Sequence, residues 1–266
     1  MSDSRPIKQT GRFNKYYKII GPELGTGGFG TVYMVSYRHF PSKRFAVKVS
    51  KKTFDKDTCL NQLEMEIKHW ATIDSDYFVR YRSSWIETAT NANTTIRSLL
   101  PACISPSSER HLYRQYIEMD WCWFTLFDVI RKMSDHFKRD TRKLWPLLGY
   151  IMAAELFDEI LQALNYLHTC AAVLIHRDIK PRNILIRQKS SGTPFVKIGD
   201  FGLVVTAQPS DNSSTSAQLG IAGTPGYMAP EVLLGGGGGY TTKSDVYSLA
   251  VMAIEMFNMN LATYKS

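Results

Sequence analysis

Hydrophobic periodicity changes character once along this chain, and that change constrains the fold more than any single motif. From Tyr17 to about Tyr81 the texture is β-rich, interrupted by one helix-like segment, Cys59 to Trp70, where Leu60, Leu63, Ile67 and Trp70 recur at helical spacing. After Trp121 the period turns helical, first over Leu126 to Met133 and then along an apolar stripe from about Leu147 to His168. Strands gathered in one half and helices in the other predict an α+β chain, a small sheet with one helix followed by a larger, mainly helical part. Two strand-like runs, FVRYRSSWIE and HLYRQYIEMD, flank a polar stretch from Thr88 to Arg110, whose length marks it as an insertion. The segments Ser210 to Ser216 and Gly235 to Gly239 read as loops by composition, and the basic stretch Arg131 to Lys143 as an exposed loop.

Composition excludes more than it assigns. A chain of 266 residues can bury a sizeable core, and its 44% hydrophobic and 21% charged content is that of an ordinary globular protein. The net charge of +8 raises nucleic-acid binding, yet the densest basic stretch offers only Phe137 for stacking on a base. A solvated basic surface is the expectation, without a nucleic-acid partner for this domain. The four cysteines, Cys59, Cys103, Cys122 and Cys170, form no CxxC pair and have no histidine at metal-ligand spacing, so neither disulfides nor structural zinc are expected. The N-terminal MSDSRPIKQT lacks the apolar core of a signal peptide, Ser2 excludes myristoylation, and no run approaches the roughly 18 apolar residues of a membrane span. A reducing compartment, cytoplasm or nucleus, and no membrane partner are therefore expected.

Chemistry enters with LGTGGFGTVYMV, in which Gly25, Gly27 and Gly30 form a GxGxxG pattern whose missing side chains let backbone amides approach phosphates. A dinucleotide-binding fold would need a helix next. Here Thr31, Val32, Tyr33 and Val35 continue as a strand, so a strand-turn-strand flap over a nucleotide fits better. The run Phe45 to Lys48 ends an apolar strand in a lysine able to reach the α- and β-phosphates. Glu66 on the following helix is placed to pair with Lys48, with Glu64 as the rival partner. The segment LIHRDIKPRNILI then supplies what phosphoryl transfer requires: a carboxylate to orient the attacking hydroxyl (Asp178), a cation near the transferring group (Lys180) and an oxygen ligand for metal (Asn183). His176 reads as a hydrogen-bonded structural histidine and Arg177 as a receptor for a loop phosphate. In VKIGDFGLV the carboxylate of Asp200 follows a β-rich run, where it can hold magnesium between β- and γ-phosphates. GTPGYMAPE, Gly223 to Glu231, closes the set, and Ser210, Ser213, Ser214, Thr215 and Ser216 before it are candidate phosphoacceptors.

In this order the glycine-rich loop, AVK, HRDxKPxN, DFG and APE resemble the eukaryotic protein kinase superfamily over roughly Tyr17 to Phe257. Lys180, two residues after the catalytic aspartate, and Thr224, implied to line the acceptor site and contact Lys180, resemble the serine/threonine branch. VRYRSSWIE, YIEMDWCWFTLFDVI and HRDIKPRNILI resemble the kinases of the alpha subunit of eukaryotic translation initiation factor two, as does the insertion between the fourth and fifth strands. Wee-type cell-cycle kinases, which share the YRSSW-like strand, are the alternative family. The resemblance implies a bilobal fold: an N-terminal tail over 1–16, an N-lobe over 17–121 with the insertion at about 88–110, and a C-lobe over 122–266. It implies ATP and magnesium (Mg2+) as cofactors, with Leu24, Gly25, Thr26, Gly27, Gly28, Phe29, Gly30, Val32, Ala46, Lys48 and Leu185 around the nucleotide. Met119 would be the gatekeeper, and Asp120, Trp121 and Cys122 the hinge against adenine. A protein substrate, the initiation-factor alpha subunit among the candidates, and a homodimer are also implied.

One departure stands against these matches. The family's C-lobe continues for several helices beyond the one formed by SDVYSLAVMAIEMF, so the C-lobe is expected to be incomplete. That helix is apolar on nearly every face and is expected to need burial all round. Two functions follow: a serine/threonine kinase, or a catalytically weak nucleotide-binding or regulatory module.

Overall fold

A computed structural model of the chain describes residues 11–28, 30–89, 112–140, 143–187, 193–207, 221–234 and 239–259. These form two compact units, one of residues 1–65 and 81–121 and one of residues 66–80 and 122–266. Residues 90–110 of the expected insertion and the phosphoacceptor candidates Ser210, Ser213, Ser214, Thr215 and Ser216, like Phe29 and Cys103, lie outside the described residues.

The first unit is built on a five-stranded antiparallel sheet in the order β1-β2-β3-β5-β4. Its strands are β1 (Tyr17–Thr26), β2 (Gly30–Tyr37), β3 (Phe40–Ser50), β4 (Tyr81–Thr88) and β5 (Tyr113–Asp120). Tyr17, Val35, Phe45, Val47, Val49 and Trp85 make a buried cluster, with Tyr17 stacked on Trp85 at 5.6 Å and Trp85 on Tyr116 at 5.3 Å. Within it sits a buried carboxylate. Glu118, 2% exposed, accepts hydrogen bonds from the hydroxyls of Tyr17 (3.0 Å), Tyr37 (2.6 Å) and Ser83 (2.8 Å). Three donors replace the water that the carboxylate loses, which is what makes a buried charge tolerable.

The segment before Tyr17, expected as a tail, contains a short helix, α1 (Arg12–Tyr16), that is fastened to this sheet. The Phe13 amide donates to Glu87 Oε1 at 2.7 Å, and the Arg12 guanidinium lies 4.4 Å from the Trp85 ring centroid. Five residues span too few turns for a helical period to register in sequence.

Helix α2 (Lys56–Trp70) begins before the expected Cys59 because Asp55 Oδ1 accepts the Thr58 amide at 3.0 Å, a helix N-cap. The boundary between units falls within α2, so residues 66–80, expected in the N-lobe, belong with the second unit. Aromatic packing holds them there: Trp70 stacks on Phe201 at 5.0 Å, its Nε1 donates to the Val79 carbonyl at 2.6 Å, and Phe78 bridges to Ile198.

The second unit is mainly helical, with α3 (Leu126–His136), α4 (Leu147–Thr169), α5 (Pro230–Leu233) and α6 (Thr242–Met256). Short strands β6 (Phe124–Thr125), β8 (Ile184–Ile186) and β9 (Val196–Ile198) form one small sheet, and β7 (Leu174–Ile175) pairs with β10 (Val205–Thr206). Helix α3 starts at a capping box, in which Thr125 and Asp128 satisfy each other's backbone amides. It runs past the expected end at Met133, which corrects the reading of Arg131 to Lys143 as an exposed loop. Ile130 and Met133 keep one face of α3 buried while Arg131 and Lys132 stay exposed. Beyond the helix, Arg139 Nε donates to Asn258 Oδ1 at 2.7 Å, and Asn258 Nδ2 donates to the carbonyls of Asp140 and Lys143. Ile160, Ala163, Leu164 and Leu167 of α4 and Leu249, Met252 and Met256 of α6 are buried. Val246 and Tyr247 on α6 are exposed, so apolar area of this helix faces outward. No described helix is long and apolar enough to cross a membrane.

Burying neutral phenols gives the first unit a testable pH dependence. Burial, reinforced by Glu118, raises the pKa of Tyr17 and Tyr37, and burial with the Glu87 charge raises that of Tyr116 to about 12. A raised folded-state pKa means that the unfolded chain loses protons first as pH climbs, so the folded state is progressively disfavoured. This stabilisation is therefore full below about pH 10 and declines from there through pH 12. Urea titrations across that range should show falling stability, and the fall should be shallower in Tyr116→Phe; an unchanged slope in that variant would contradict the assignment.

Candidate functional site

The chemistry-bearing residues of LIHRDIKPRNILI occupy the loop between β7 and β8, where the chain turns tightly enough to gather their side chains. Asp178, 5% exposed, lies at the centre. Its Oδ2 accepts Lys180 Nζ at 2.6 Å and Asn183 Nδ2 at 2.9 Å, while Oδ1 accepts the Thr224 hydroxyl at 2.7 Å. The same Thr224 Oγ1 accepts from Lys180 Nζ at 2.7 Å. A hydroxyl carries one donor and two acceptor sites, so Thr224 closes a triangle of hydrogen bonds with Asp178 and Lys180. Gly223 makes this approach possible. A Cβ there would lie 2.5 Å from the Arg177 carbonyl oxygen, and its φ of +117° is one that residues with side chains rarely adopt.

The loop is held from beneath by a residue that the sequence reading did not single out. Asp245, fully buried in the first turn of α6, accepts the backbone amides of His176 at 2.8 Å and Arg177 at 2.9 Å, and its Oδ2 also contacts His168 Nε2 at 3.0 Å. From sequence, an Asp three residues after Thr242 looks like an ordinary helix-start acid interacting with the dipole. His176, fully buried, bridges the Asp178 amide through Nδ1 at 3.3 Å and the Gly199 carbonyl through Nε2 at 3.1 Å. Its ring is thus tied into the loop, in keeping with a shaping role. Arg177, at φ +67°, donates through Nε to the Leu203 carbonyl at 2.5 Å and lies over the Tyr240 ring at 4.9 Å. Burial pulls its pKa down, with Tyr240 and Asp245 acting in the opposite direction.

Asn183 and Asp200 are brought to the same end of the β8–β9 pair: Ile184 pairs with Ile198, and the Gly199 amide donates to the Asn183 carbonyl at 2.9 Å. Asp200 adopts a left-handed backbone conformation, φ 64° and ψ 74°, directly before the buried Phe201. Donation from Asn183 Nδ2 to both the carbonyl and the carboxylate of Asp178 turns Asn183 Oδ1 away from them. An amide oxygen and a carboxylate are hard donors of the kind that magnesium takes together with substrate phosphates, so the two residues fit such an ion. Of the two rival glutamates on α2, Glu64 is exposed, whereas Glu66 is half-buried with Oε1 3.5 Å from where a Cβ on Gly202 would stand.

In the first unit, the glycine loop joins β1 to β2 and is closed by the Gly27 amide donating to the Gly30 carbonyl at 3.0 Å. Added Cβ atoms at Gly25, Gly27 and Gly28 would meet nothing within 4 Å, while one at Gly30 would lie 2.6 Å from the Val49 carbonyl oxygen. Leu24 and Thr26 end β1, and Val32 pairs across to the half-buried Lys48 on β3. Ala46 pairs with Met119 on β5, both buried. Asp120 closes β5 and accepts Arg82 Nε at 2.5 Å; Trp121 follows, with the Arg44 guanidinium 5.3 Å from its ring. Cys122 opens the second unit, which also holds Leu185 on β8.

A protein kinase domain model matches residues 19–266. Among similar proteins, the interferon-induced, double-stranded RNA-activated protein kinase of Rattus norvegicus is 26% identical over 93% of this chain and 42% of its own length. The serine/threonine-protein kinase Nek11 of Homo sapiens is 27% identical over 92% of this chain and 31% of its own. The probable cyclin-dependent kinase 8 of Dictyostelium discoideum is 28% identical over 88% and 52% respectively. The chain spans between about a quarter and about half the length of such relatives. With the match covering nearly all of its residues, the chain belongs to the protein kinase domain family.

Proposed function

We propose that the chain transfers the γ-phosphate of ATP to a serine or threonine hydroxyl of a protein, and that Asp178, Lys180, Asn183 and Thr224 carry the step. The observation that carries this reading is the closed cluster in which Lys180 and Thr224 bond each other and Asp178. Asp178 Oδ1 receives one hydrogen bond from Thr224 and retains a lone pair with which to orient the attacking hydroxyl and take its proton. Lys180, already at 2.6 Å from Asp178, supplies positive charge beside the site where charge develops on the transferred group. Thr224 sets the acceptor side of the cluster. Asn183 and Asp200 would hold a divalent ion, which when bound neutralises phosphate charge. Lys48 and the backbone of the glycine loop serve the nucleotide phosphates, and Met119 to Cys122 serve the base. Arg177 is the receptor for a phosphate on one of Ser210, Ser213, Ser214, Thr215 and Ser216.

The substrate reading rests on the three stretches that resemble the kinases of the initiation-factor alpha subunit. We take that subunit as the protein substrate and a homodimer as the acting form. A kinase assay with magnesium ATP should show serine phosphorylation of the alpha subunit by the chain. Turnover on generic peptides with the alpha subunit left unmodified would overturn the substrate assignment and leave the chemistry standing.

Two variants test the chemistry. Asp178→Asn removes the proton acceptor and should lower kcat by about 10²- to 10⁴-fold while nucleotide binding persists; retained turnover would refute the assignment. Thr224→Val deletes both a donor to Asp178 and an acceptor for Lys180 and should lower kcat about tenfold, with Thr224→Ser recovering most of the loss. Steady-state kinetics at saturating ATP read both.

A further inference from the structure

Arg182 lies between Pro181 and Asn183 in the loop that carries Asp178, and it is exposed where both of those neighbours are buried. Two contacts fix it. The Phe127 amide at the start of α3 donates to the Pro181 carbonyl at 3.2 Å, and the guanidinium carbon stands 4.0 Å from the Phe127 ring centroid. Stacking against a ring face holds the guanidinium plane while leaving its N–H edge available for a bidentate anion.

The carboxylates nearby are engaged elsewhere. Asp128 accepts the Thr125 amide at 3.0 Å and hydroxyl at 2.7 Å, and Glu255 Oε1 accepts the Tyr227 hydroxyl at 2.5 Å. Arg182 is nonetheless close enough for both groups to feel its charge. Partial burial works to raise the Asp128 pKa, but the Thr125 bonds, with Arg131 and Arg182, bring it below the usual value. The Tyr227 phenol is pushed up by burial and by Glu255, and Arg182 acts against that rise. Among the described residues no carboxylate lies within ion-pair distance of Arg182. Beside Tyr227, an added Cβ on Gly226 would meet nothing within 4 Å, so the surface is open there, two residues from Thr224.

We infer that Arg182 is a specificity-determining residue that selects acceptor peptides carrying an anionic side chain within about three residues of the hydroxyl, where an extended chain advances only about 3.3 Å per residue. The inference rests on the kinase reading above and names the substrate class for the same site. A carboxylate or a phosphate satisfies the guanidinium edge, and a basic flanking residue meets it as a like charge.

The test uses the full chain and a set of serine peptides of equal length. Each carries Glu, phosphoserine, Ala or Arg at one of three positions on either side of the acceptor. At one position at least, kcat/KM should favour Glu over Ala by about fivefold, with the gain shrinking as ionic strength rises. A larger gain for phosphoserine than for Glu identifies phosphate as the natural partner, and equal gains identify carboxylate. Arg182→Glu should invert the preference towards the Arg peptide, and Arg182→Lys should keep part of the original one. Equal kcat/KM for the Glu and Arg peptides, or a preference that survives Arg182→Glu, overturns the inference. Turnover of the Ala peptide, and its loss in Asp178→Asn, reports separately on the kinase reading; no turnover on any peptide overturns the inference, and the kinase reading falls with it only if the alpha subunit is also left unmodified.

Discussion

The buried carboxylate of Asp245 is the contact on which the second unit's chemistry depends. It is fully desolvated, yet two backbone amides and the edge of His168 surround it. A carboxylate so supplied repays its desolvation only if the donors stay in place, which makes the arrangement self-enforcing: the loop satisfies the charge and the charge fixes the loop. The conformation so fixed is unfavourable locally. Arg177 sits at φ +67°, a region that costs a side-chain-bearing residue of order 1 to 3 kcal/mol. Bonds to Asp245 and from Arg177 Nε to the Leu203 carbonyl offset that cost and direct Asp178 towards Lys180, Asn183 and Thr224. Because Asp245 belongs to a helix whose Leu249, Met252 and Met256 are buried, the loop inherits the rigidity of the core.

How much of this was legible in sequence follows from how local each interaction is. Helices α2 and α4 announced themselves because apolar residues recur along them every three to four positions, although Leu60 of the α2 stripe is exposed. Their ends were less visible, since a cap such as Asp55 on α2 is a single side chain and leaves no period. Asp178, Lys180 and Asn183 lie within six residues and could be read together. Thr224 closes the same cluster from 46 residues beyond Asp178, and only the resemblance to a family pointed to it. Asp245, 69 residues beyond His176, gave no signal at all, because a buried acceptor of amides has the same letter as a surface acid. The convergence of Tyr17, Tyr37 and Ser83 on Glu118 left no signal either, since its members come from four different strands.

The glycines show how one letter can hide different constraints. In GxGxxG all three positions read as room for phosphate. The structure divides them: Gly25 and Gly27 border open space, whereas Gly30 is required by the Val49 carbonyl on the neighbouring strand. The first two keep space for a ligand, and the third lets two strands approach closely enough to pair. Gly223 adds a third reason, in which both its positive φ and the nearby Arg177 carbonyl exclude a side chain. A motif search scores these positions alike, although replacing them would damage ligand access, sheet packing and loop docking respectively.

The same distinction between internal and available groups applies to charge. Asp245 is committed to backbone amides, Asp128 to the start of α3, Glu255 to Tyr227, and Lys180 to Asp178 and Thr224. These groups shape the site, and their hydrogen bonds are directed inward. Net charge therefore says little about what an incoming peptide would meet, because a committed carboxylate offers fewer lone pairs and its field is offset by its donors. What counts is the residue held in place by apolar contact, with its polar edge towards solvent. Arg182 on the ring of Phe127 is of that kind, since stacking orients the guanidinium without using its hydrogen-bonding capacity. The +8 of the whole chain is diffuse and screened within about 10 Å at ordinary ionic strength, whereas a cation fixed in the loop that carries Asp178 acts at contact range.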